Sequence, residues 1–378
     1  MNVLFVPFNY QNPFQPIAAL FFHDQVQALV QSGVKVVVLS AVSVSLPNVV
    51  KCKGKGLGYR HWQDKGVDVY QFMFPAVPKA PRLNQWIRLQ VQKFLYQKIK
   101  REHSAPDLVH VQMFPGGDFG QWMQKSFSIP YVVTEHLSGF SQGVYNGWQL
   151  QNAQSCYKHA QVRIAVSQHL ATTLEQLTEQ PFEVIPNCVD VSLFEPELDV
   201  GKKAIRRFIH VGRLDPIKNQ AMLIEAFAKA DLPEDCSLTI VGAGSEEANL
   251  RRIIDSLNIG DKVELYGEAT KAEVIKLLSL HDAFVLASRY ETFGVVLIEA
   301  MSMGLPVIST DCLGAREIIT DDKVGEICSC DREALSQLLA SFTSRYYDSR
   351  YIRQFAVEHF SNQSVANMIN KVYSRIVR

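Results

Sequence analysis

Short, near-continuous runs of Val, Ile and Leu alternate with longer stretches of helical period along this 378-residue chain. Strands with one wet face alternate apolar and polar residues, whereas unbroken apolar runs mark strands covered on both sides, as in a parallel sheet flanked by helices. The first half predicts strands at 2–6, 34–39, 67–73, 107–111, 130–134, 162–166 and 183–185, with helices near 15–32, 82–102 and 167–178. The scheme then starts again, with strands at 206–211, 236–241, 263–266, 282–286, 306–309 and 324–327 and helices near 219–230, 245–258, 271–280, 294–303 and 331–343. Between the two series, from Pro186 to about Lys203, periodicity is lost. The expected fold class is α/β: two doubly wound, Rossmann-like domains, residues 1–190 and 191–378, facing across a cleft. The tail from about Asp348 is helical in pattern without a strand partner and is free to pack back on the first domain. Ligands of such sheets bind beyond the carboxyl ends of the strands.

Charge narrows the function. The chain holds 38 Lys+Arg and 38 Asp+Glu, which excludes a uniformly basic protein and argues against a nucleic-acid partner. The balance is a sum of opposites: residues 1–190 carry 16 cations and 11 acids, net +5, and residues 191–378 carry 22 and 27, net −5. Seven cysteines, with no CxxC pair and none at finger spacing, suit free thiols in a reducing compartment. Residues 1–6 lack the cationic start of a signal peptide, and no apolar stretch is long enough to span a bilayer. A cytoplasmic location is the expectation.

The most informative segment is Glu291–Glu299, which follows a buried strand and leads into a helix. Gly294 admits close backbone approach, and the first amides of that helix, with the dipole behind them, favour an anion such as a diphosphate. Glu291 and Glu299 lie eight residues apart, about 12 Å if helical rise applied throughout. That is wider than the carboxylate pair of a glycosidase, and it suits hydroxyls at the two ends of a nucleotide-sugar. Taken alone, the pattern is more often an ordinary amphipathic helix with two solvated glutamates. A second strand–glycine–helix segment puts Arg213 and Lys218 on one loop, where two cations could clamp phosphates and stabilise a departing diphosphate. Alone, they are surface cations.

In combination, Gly212, Arg213, Leu214, Lys218, Gly242, Gly244, Gly267, Glu291, Phe293, Gly294, Glu299, Gly304, Pro306 and Glu317 resemble the family 4 glycosyltransferases of GT-B fold. The first half agrees through Gly33, Pro106, Asp107, Thr134, Glu135, His136, Ser167, Pro186, Asn187 and Asp190. The resemblance implies a retaining hexosyltransferase that uses a nucleoside-diphosphate sugar as co-substrate and a glycan or lipid-linked glycan as acceptor. It gives Arg213 and Lys218 to the donor diphosphate, Glu291 to hydroxyls of the donor sugar, Glu299 to the ribose, and the backbone around Phe293, Gly294 and Val295 to sugar and phosphate. His136 would face the donor sugar near its anomeric centre, and His110, inside a strand, reads as a packed histidine. Retention by front-face attack needs no strong protein base, because the leaving phosphate helps take the acceptor's proton. UDP is favoured over GDP as the base.

The departures bear on the acceptor. The loop Asn9–Pro16 stands where relatives carry a Gly-Gly turn, so Asn9 and Gln15, with Asn187 from the end of the domain, are the acceptor candidates. Cys188 stands where glycine is usual, and Gly314 to Glu317 lacks the usual second glycine and proline. Gly242 and Gly244 begin like a dinucleotide fingerprint but lack its third glycine. No Asp-x-Asp occurs, so no metal and no other cofactor is expected. Two alternatives share this architecture: a nucleotide-sugar 2-epimerase and a non-catalytic nucleotide-sugar-binding protein.

One helix raises a membrane question. Arg82–Arg101 carries six cations and no acid, with Leu83, Ile87, Val91, Phe94, Leu95 and Ile99 near one face and Trp86 and Tyr96 beside it. It reads either as a helix lying on an anionic membrane, giving peripheral association with the inner face, or as a Rossmann helix with its apolar face on the sheet and its cations in water.

Overall fold

In the computed structural model, the first half supplies β1 (Asn2–Val6), β2 (Lys35–Val44), β3 (Gly58–Asp64), β4 (Val67–Pro75), β5 (Leu108–Gln112), β6 (Tyr131–Glu135), β7 (Val162–Ala165) and β8 (Glu183–Val184). They form one sheet in the order β3-β4-β2-β1-β5-β6-β7-β8. The second half supplies β9 (Arg207–Val211), β10 (Ser237–Val241), β11 (Val263–Gly267), β12 (Ala283–Leu286), β13 (Val307–Thr310) and β14 (Gly325–Cys328), ordered β11-β10-β9-β12-β13-β14. Every pairing is parallel except β3 with β4. The structure describes residues 1–12, 20–51, 53–137, 139–140, 142–194, 196, 204–291 and 293–377.

The helices of the first half are α1 (Leu20–Gln31), α2 (Leu46–Lys51), α3 (Pro81–Glu102), α4 (Gly117–Phe127), α5 (Gly147–His159) and α6 (Gln168–Thr178). Those of the second are α7 (Gln220–Lys229), α8 (Glu247–Leu257), α9 (Lys271–Ser279), α10 (Val295–Ser302), α11 (Leu313–Ile318), α12 (Arg332–Phe342), α13 (Ser349–Phe360) and α14 (Asn362–Ile376). By contacts, the chain divides into residues 1–188 with 362–378, and residues 189–361. Helix α14 belongs to the first unit, where Val365, Ala366, Ile369, Val372 and Tyr373 join the buried cluster of α1, β1 and β2. Asn370 Nδ2 donates to Ser32 Oγ at 2.9 Å.

Besides the short helices α2 and α11, which the sequence reading does not include, three elements depart from the expectation. Strand β3 is polar and exposed, but Lys65 and Gly66 both have positive φ (48° and 85°), the geometry of a tight hairpin turn, which folds β3 back on β4. Helix α4 starts in a glycine cluster that reads as loop. Its glycines serve packing: a Cβ on Gly117 would lie 2.4 Å from Cys156 Sγ, and one on Gly120 would lie 2.7 Å from the Tyr131 ring. Helix α5 is poor in aliphatic residues and is fixed by a capping box between Asn146 and Gln149.

The polar interior of the first unit centres on His110. Its Nδ1 meets Tyr373 Oη of α14 at 2.6 Å and its Nε2 meets Thr134 Oγ1 at 2.7 Å. Burial holds the imidazole neutral, with its pKa down to about 3, and in the second unit His210 falls to about 4 for the same reason. A depressed histidine leaves stability complete above the unfolded pKa near 6.5 and removes it as pH falls below that value, because the unfolded chain then binds a proton that the folded chain refuses. Between pH 7.5 and 5.5, His110 should cost about 1.4 kcal/mol of unfolding free energy. Denaturant titrations of wild type and His110→Gln at both pH values check this: the loss should be smaller by about that amount in the variant, and equal losses would refute it.

Candidate functional site

In the second unit the site is built on two loops that leave the carboxyl edge of adjacent strands. Loop 212–219 follows β9, and loop 287–294 follows β12, its neighbour in the sheet. A backbone bond joins them, from Arg289 N to Ile217 O at 2.9 Å. Across the bond, Lys218 Nζ is paired with Glu291 Oε1, which also accepts from Ser288 Oγ at 2.8 Å. Both charged side chains are largely buried, at 24% and 13% exposure. Arg213 is the opposite case: it is 77% exposed and rests on Asp215 at 2.9 Å, a pairing that water weakens and a ligand could displace at little cost.

The loop after β9 is held from below. A Cβ on Gly242 would lie 2.0 Å from Gly212 O, and one on Gly244 would lie 2.1 Å from Leu214 O. These two glycines therefore let the β10 loop run against the β9 loop, sealed by Gly212 N to Val241 O at 2.9 Å and Leu214 N to Ala243 O at 3.0 Å. Behind them, buried Gln220 donates to Arg213 O at 3.0 Å. On the other loop, Gly314 N donates to Glu291 O at 3.0 Å, and a Cβ on Gly314 would come within 2.8 Å of Phe293 O.

Helix α10 begins only at Val295, and its cap, Gly294, is left-handed at φ 82°. Helical rise does not hold over the first half of the interval between Glu291 and Glu299, so it does not set those carboxylates about 12 Å apart. Phe293 is buried against Phe360 and offers a ligand its backbone, not its ring. The amides opening α10 remain an anion-favouring helix start. Glu299 is paired with Lys271 of α9, whose Nζ also lies 4.7 Å from the centre of the Phe194 ring.

In the first unit His136 directly follows β6 and is nine-tenths buried. Its Nε2 bonds to Gln112 Oε1 at 2.7 Å, and Gln112 Nε2 reaches Gln25 Oε1 at 2.9 Å and His110 Nε2 at 3.1 Å. A buried polar relay thus runs from Tyr373 through His110 and Gln112 to His136. Burial lowers the His136 pKa to about 3; Asn187 beside the ring favours the protonated form but does not offset burial. No hydrogen bond of regular geometry reaches its Nδ1. At neutral pH His136 is therefore a hydrogen-bonding group without charge.

Buried Glu135 fixes the loop that carries His136. It accepts from Phe114 N, His136 N, Leu137 N and Tyr157 Oη at 2.7 to 3.0 Å. Its burial raises its pKa while those four bonds pull it down. Of the acceptor candidates, Asn9 lies after β1 and accepts from Asn12 Nδ2 at 2.9 Å, Asn187 lies beside His136, and Gln15 falls outside the described residues. Sequence reasoning assigned no role to Glu135, Gln112, Ser288, Asp215 or Lys271. Only Glu135 carried a signal, through its place next to His136.

Helix α3 contradicts the picture of a helix with its whole apolar face on the sheet. Its buried residues are Arg88, Gln92, Leu95, Tyr96 and Ile99, whereas Leu83, Trp86 and Phe94 are about half exposed, at 45%, 59% and 46%. The predicted stripe is split, its inner end on the core and its outer end in solvent. Lys98 Nζ lies over the rings of both Tyr59 and Phe94, at 4.7 and 5.2 Å. Among the described residues, no helix is long and apolar enough to cross a membrane.

The chain is similar to known proteins over both halves. Residues 199–358 match the family described as Glycosyl transferases group 1, and residues 18–193 match Glycosyltransferase Family 4. The chain is 35% identical, over 40% of its length and 41% of the relative's, to the N-acetylgalactosamine-N,N'-diacetylbacillosaminyl-diphospho-undecaprenol 4-alpha-N-acetylgalactosaminyltransferase of Campylobacter jejuni. It thus spans less than half the length of that relative, and the same holds for another it matches. Over 84% of its length and 83% of the relative's, it is 27% identical to the putative teichuronic acid biosynthesis glycosyltransferase TuaC of Bacillus subtilis. In fold it matches Anabaena HepE, solved in complex with UDP, at a TM-score of 0.72 with 19% identity, covering 99% of this chain and 100% of that one. Its two parallel-sheet α/β units have the GT-B fold, and with two family matches that together take in nearly the whole chain, the protein belongs to the family 4 glycosyltransferases.

Proposed function

We propose that the protein transfers a hexosyl unit, with retention and without a metal, from a nucleoside-diphosphate sugar to a hydroxyl of a glycan or lipid-linked glycan, in the assembly of cell-surface polysaccharide or glycolipid. The observation that carries this reading is the Lys218–Glu291 pair, held where the β9 and β12 loops are stitched together. A cation for phosphate and a carboxylate for sugar hydroxyls stand in contact, as the junction between diphosphate and sugar requires. Arg213 adds a second cation at the same edge, and Glu299 on α10 a second carboxylate for the ribose. UDP is the favoured base, supported by UDP in HepE. The acceptor class is supported by the names of the undecaprenol-linked and teichuronic acid relatives.

In this scheme the two cations stabilise charge that grows on the leaving diphosphate, a contribution larger in the transition state than in the ground state. The neutral imidazole of His136 orients a hydroxyl of the donor sugar, and the departing phosphate takes the acceptor's proton. Glu291→Ala and Lys218→Ala should each lower transfer by about 10²-fold or more, with the fold intact by circular dichroism. A panel of UDP- and GDP-sugars, each incubated with wild type with and without acceptor, identifies the donor. Near-normal turnover in both variants, or conversion of the donor to an isomer without acceptor, would overturn the assignment.

Helix α3 supports peripheral contact with an anionic membrane on its cytoplasmic side. Its exposed Leu83, Trp86 and Phe94 and its acid-free run of cations suit interfacial insertion. At low salt the protein should sediment with phosphatidylglycerol vesicles and stay free of phosphatidylcholine ones, and Trp86→Ser with Phe94→Ser should abolish the difference. Equal partitioning of wild type between the two lipids would remove the membrane proposal.

A further inference from the structure

Among the described residues, Arg88 is a buried cation with no anion beside it. It stands on α3 facing inward and is 6% exposed. Its Nη1 donates to Phe8 O and its Nη2 to Ser43 Oγ, each at 3.2 Å, and its guanidinium carbon lies 4.1 Å from the centre of the Phe8 ring. Among the described residues no carboxylate forms an ion pair with it, although ion pairs are formed elsewhere in the chain. Burial alone lowers its pKa, to about 10, so it remains charged at neutral pH.

A guanidinium removed from water and left with two neutral oxygens is a costly arrangement, since buried charges are ordinarily paired. A five-donor fork whose bonds among the described residues are those to Phe8 O and Ser43 Oγ retains geometry suited to a bidentate oxyanion. Its position matters as much as its chemistry. Phe8 lies just past the carboxyl end of β1 and Ser43 near that of β2, so Arg88 sits at the ligand-binding edge of the first sheet. His136 leaves the same edge at the end of β6, two strands on from β1, which is roughly 10 Å at ordinary strand spacing.

We propose that Arg88 binds a phosphoryl group of the acceptor, set roughly 10 Å along the molecule from the hydroxyl that reacts near His136. The spacing rests on the transferase reading given above, whereas the phosphoryl site itself does not. The substrate class is then a phosphorylated acceptor, either a soluble sugar phosphate or a lipid-linked phosphate. The outward face of α3, with Trp86 and Phe94, lies on the same helix as this inward cation.

The test uses the full chain carrying Arg213→Ala and Lys218→Ala, so that donor-site cations do not bind the probe, with and without Arg88→Met. An apolar residue of similar length removes the charge without leaving a buried polar group, so Arg88→Met should unfold at or above the parent's temperature in phosphate-free buffer. Inorganic phosphate, titrated calorimetrically, should bind the parent and bind at least about tenfold more weakly after Arg88→Met. Two further arms distinguish the source: glucose 1-phosphate in solution, and undecaprenyl phosphate in phosphatidylcholine vesicles. Arg88-dependent binding in either arm supports the proposal and names the acceptor type. Phosphate binding that is absent from the parent, or unchanged by Arg88→Met, overturns it. So does an Arg88→Met chain that unfolds well below the parent, since the arginine would then be serving the fold. UDP-sugar binding by the single variant Arg88→Met, measured separately, keeps the fate of the donor reading distinct.

Discussion

In a parallel sheet every strand delivers its chain to the same edge, and the chemistry of this protein follows from that constraint. Arg213 and Lys218 follow β9, Glu291 follows β12, His136 follows β6, and Phe8 and Asn9 follow β1. Within each unit, side chains far apart in sequence therefore reach one sheet edge without any long loop to carry them. What turns proximity into geometry is backbone packed on backbone. Gly242 and Gly244 leave no room for a side chain over Gly212 and Leu214, Gly314 leaves none over Phe293, and the bond from Arg289 to Ile217 ties two loops into one platform.

That platform is electrostatically closed on itself. Lys218 holds Glu291, Lys271 holds Glu299 and Arg213 holds Asp215. In a unit with an acidic excess, such pairing keeps carboxylates from repelling one another, and it sets the exchange that a donor must drive. A diphosphate offers Lys218 and Arg213 a stronger partner than a carboxylate while sugar hydroxyls satisfy the glutamate that Lys218 leaves. The basic first unit handles charge differently. Among the described residues one guanidinium is buried without an acid, burial keeps His110 and His136 neutral, and cations gather on the surface of α3 and at Lys51, Lys53 and Lys55.

Much of this was legible in the sequence because the physics was local. Unbroken apolar runs reported strands buried on both faces, and glycine followed by cations or by a helix start reported loops able to approach an anion. What escaped was carried by contact between distant residues. The glycines of α4 read as a loop because nothing in their own segment shows that Cys156 and Tyr131 press on them. The relay from Tyr373 to His136 joins residues from three separate elements. The spacing in helix α3 predicts one apolar face, yet its inner surface buries Arg88 and Gln92 along with Leu95 and Ile99, since Arg88 lies over the carboxyl ends of β1 and β2.

The central claim is that the Lys218–Glu291 contact marks the junction of diphosphate and sugar. It is tested most directly by a crystal structure of the protein with its donor nucleotide-sugar bound. The account predicts that Lys218 Nζ leaves Glu291 for a phosphate oxygen, with Arg213 on the same diphosphate and Glu291 accepting from hydroxyls of the sugar. A bound nucleotide-sugar that leaves the Lys218–Glu291 pair intact, or that lies away from the β9 and β12 loops, would contradict it.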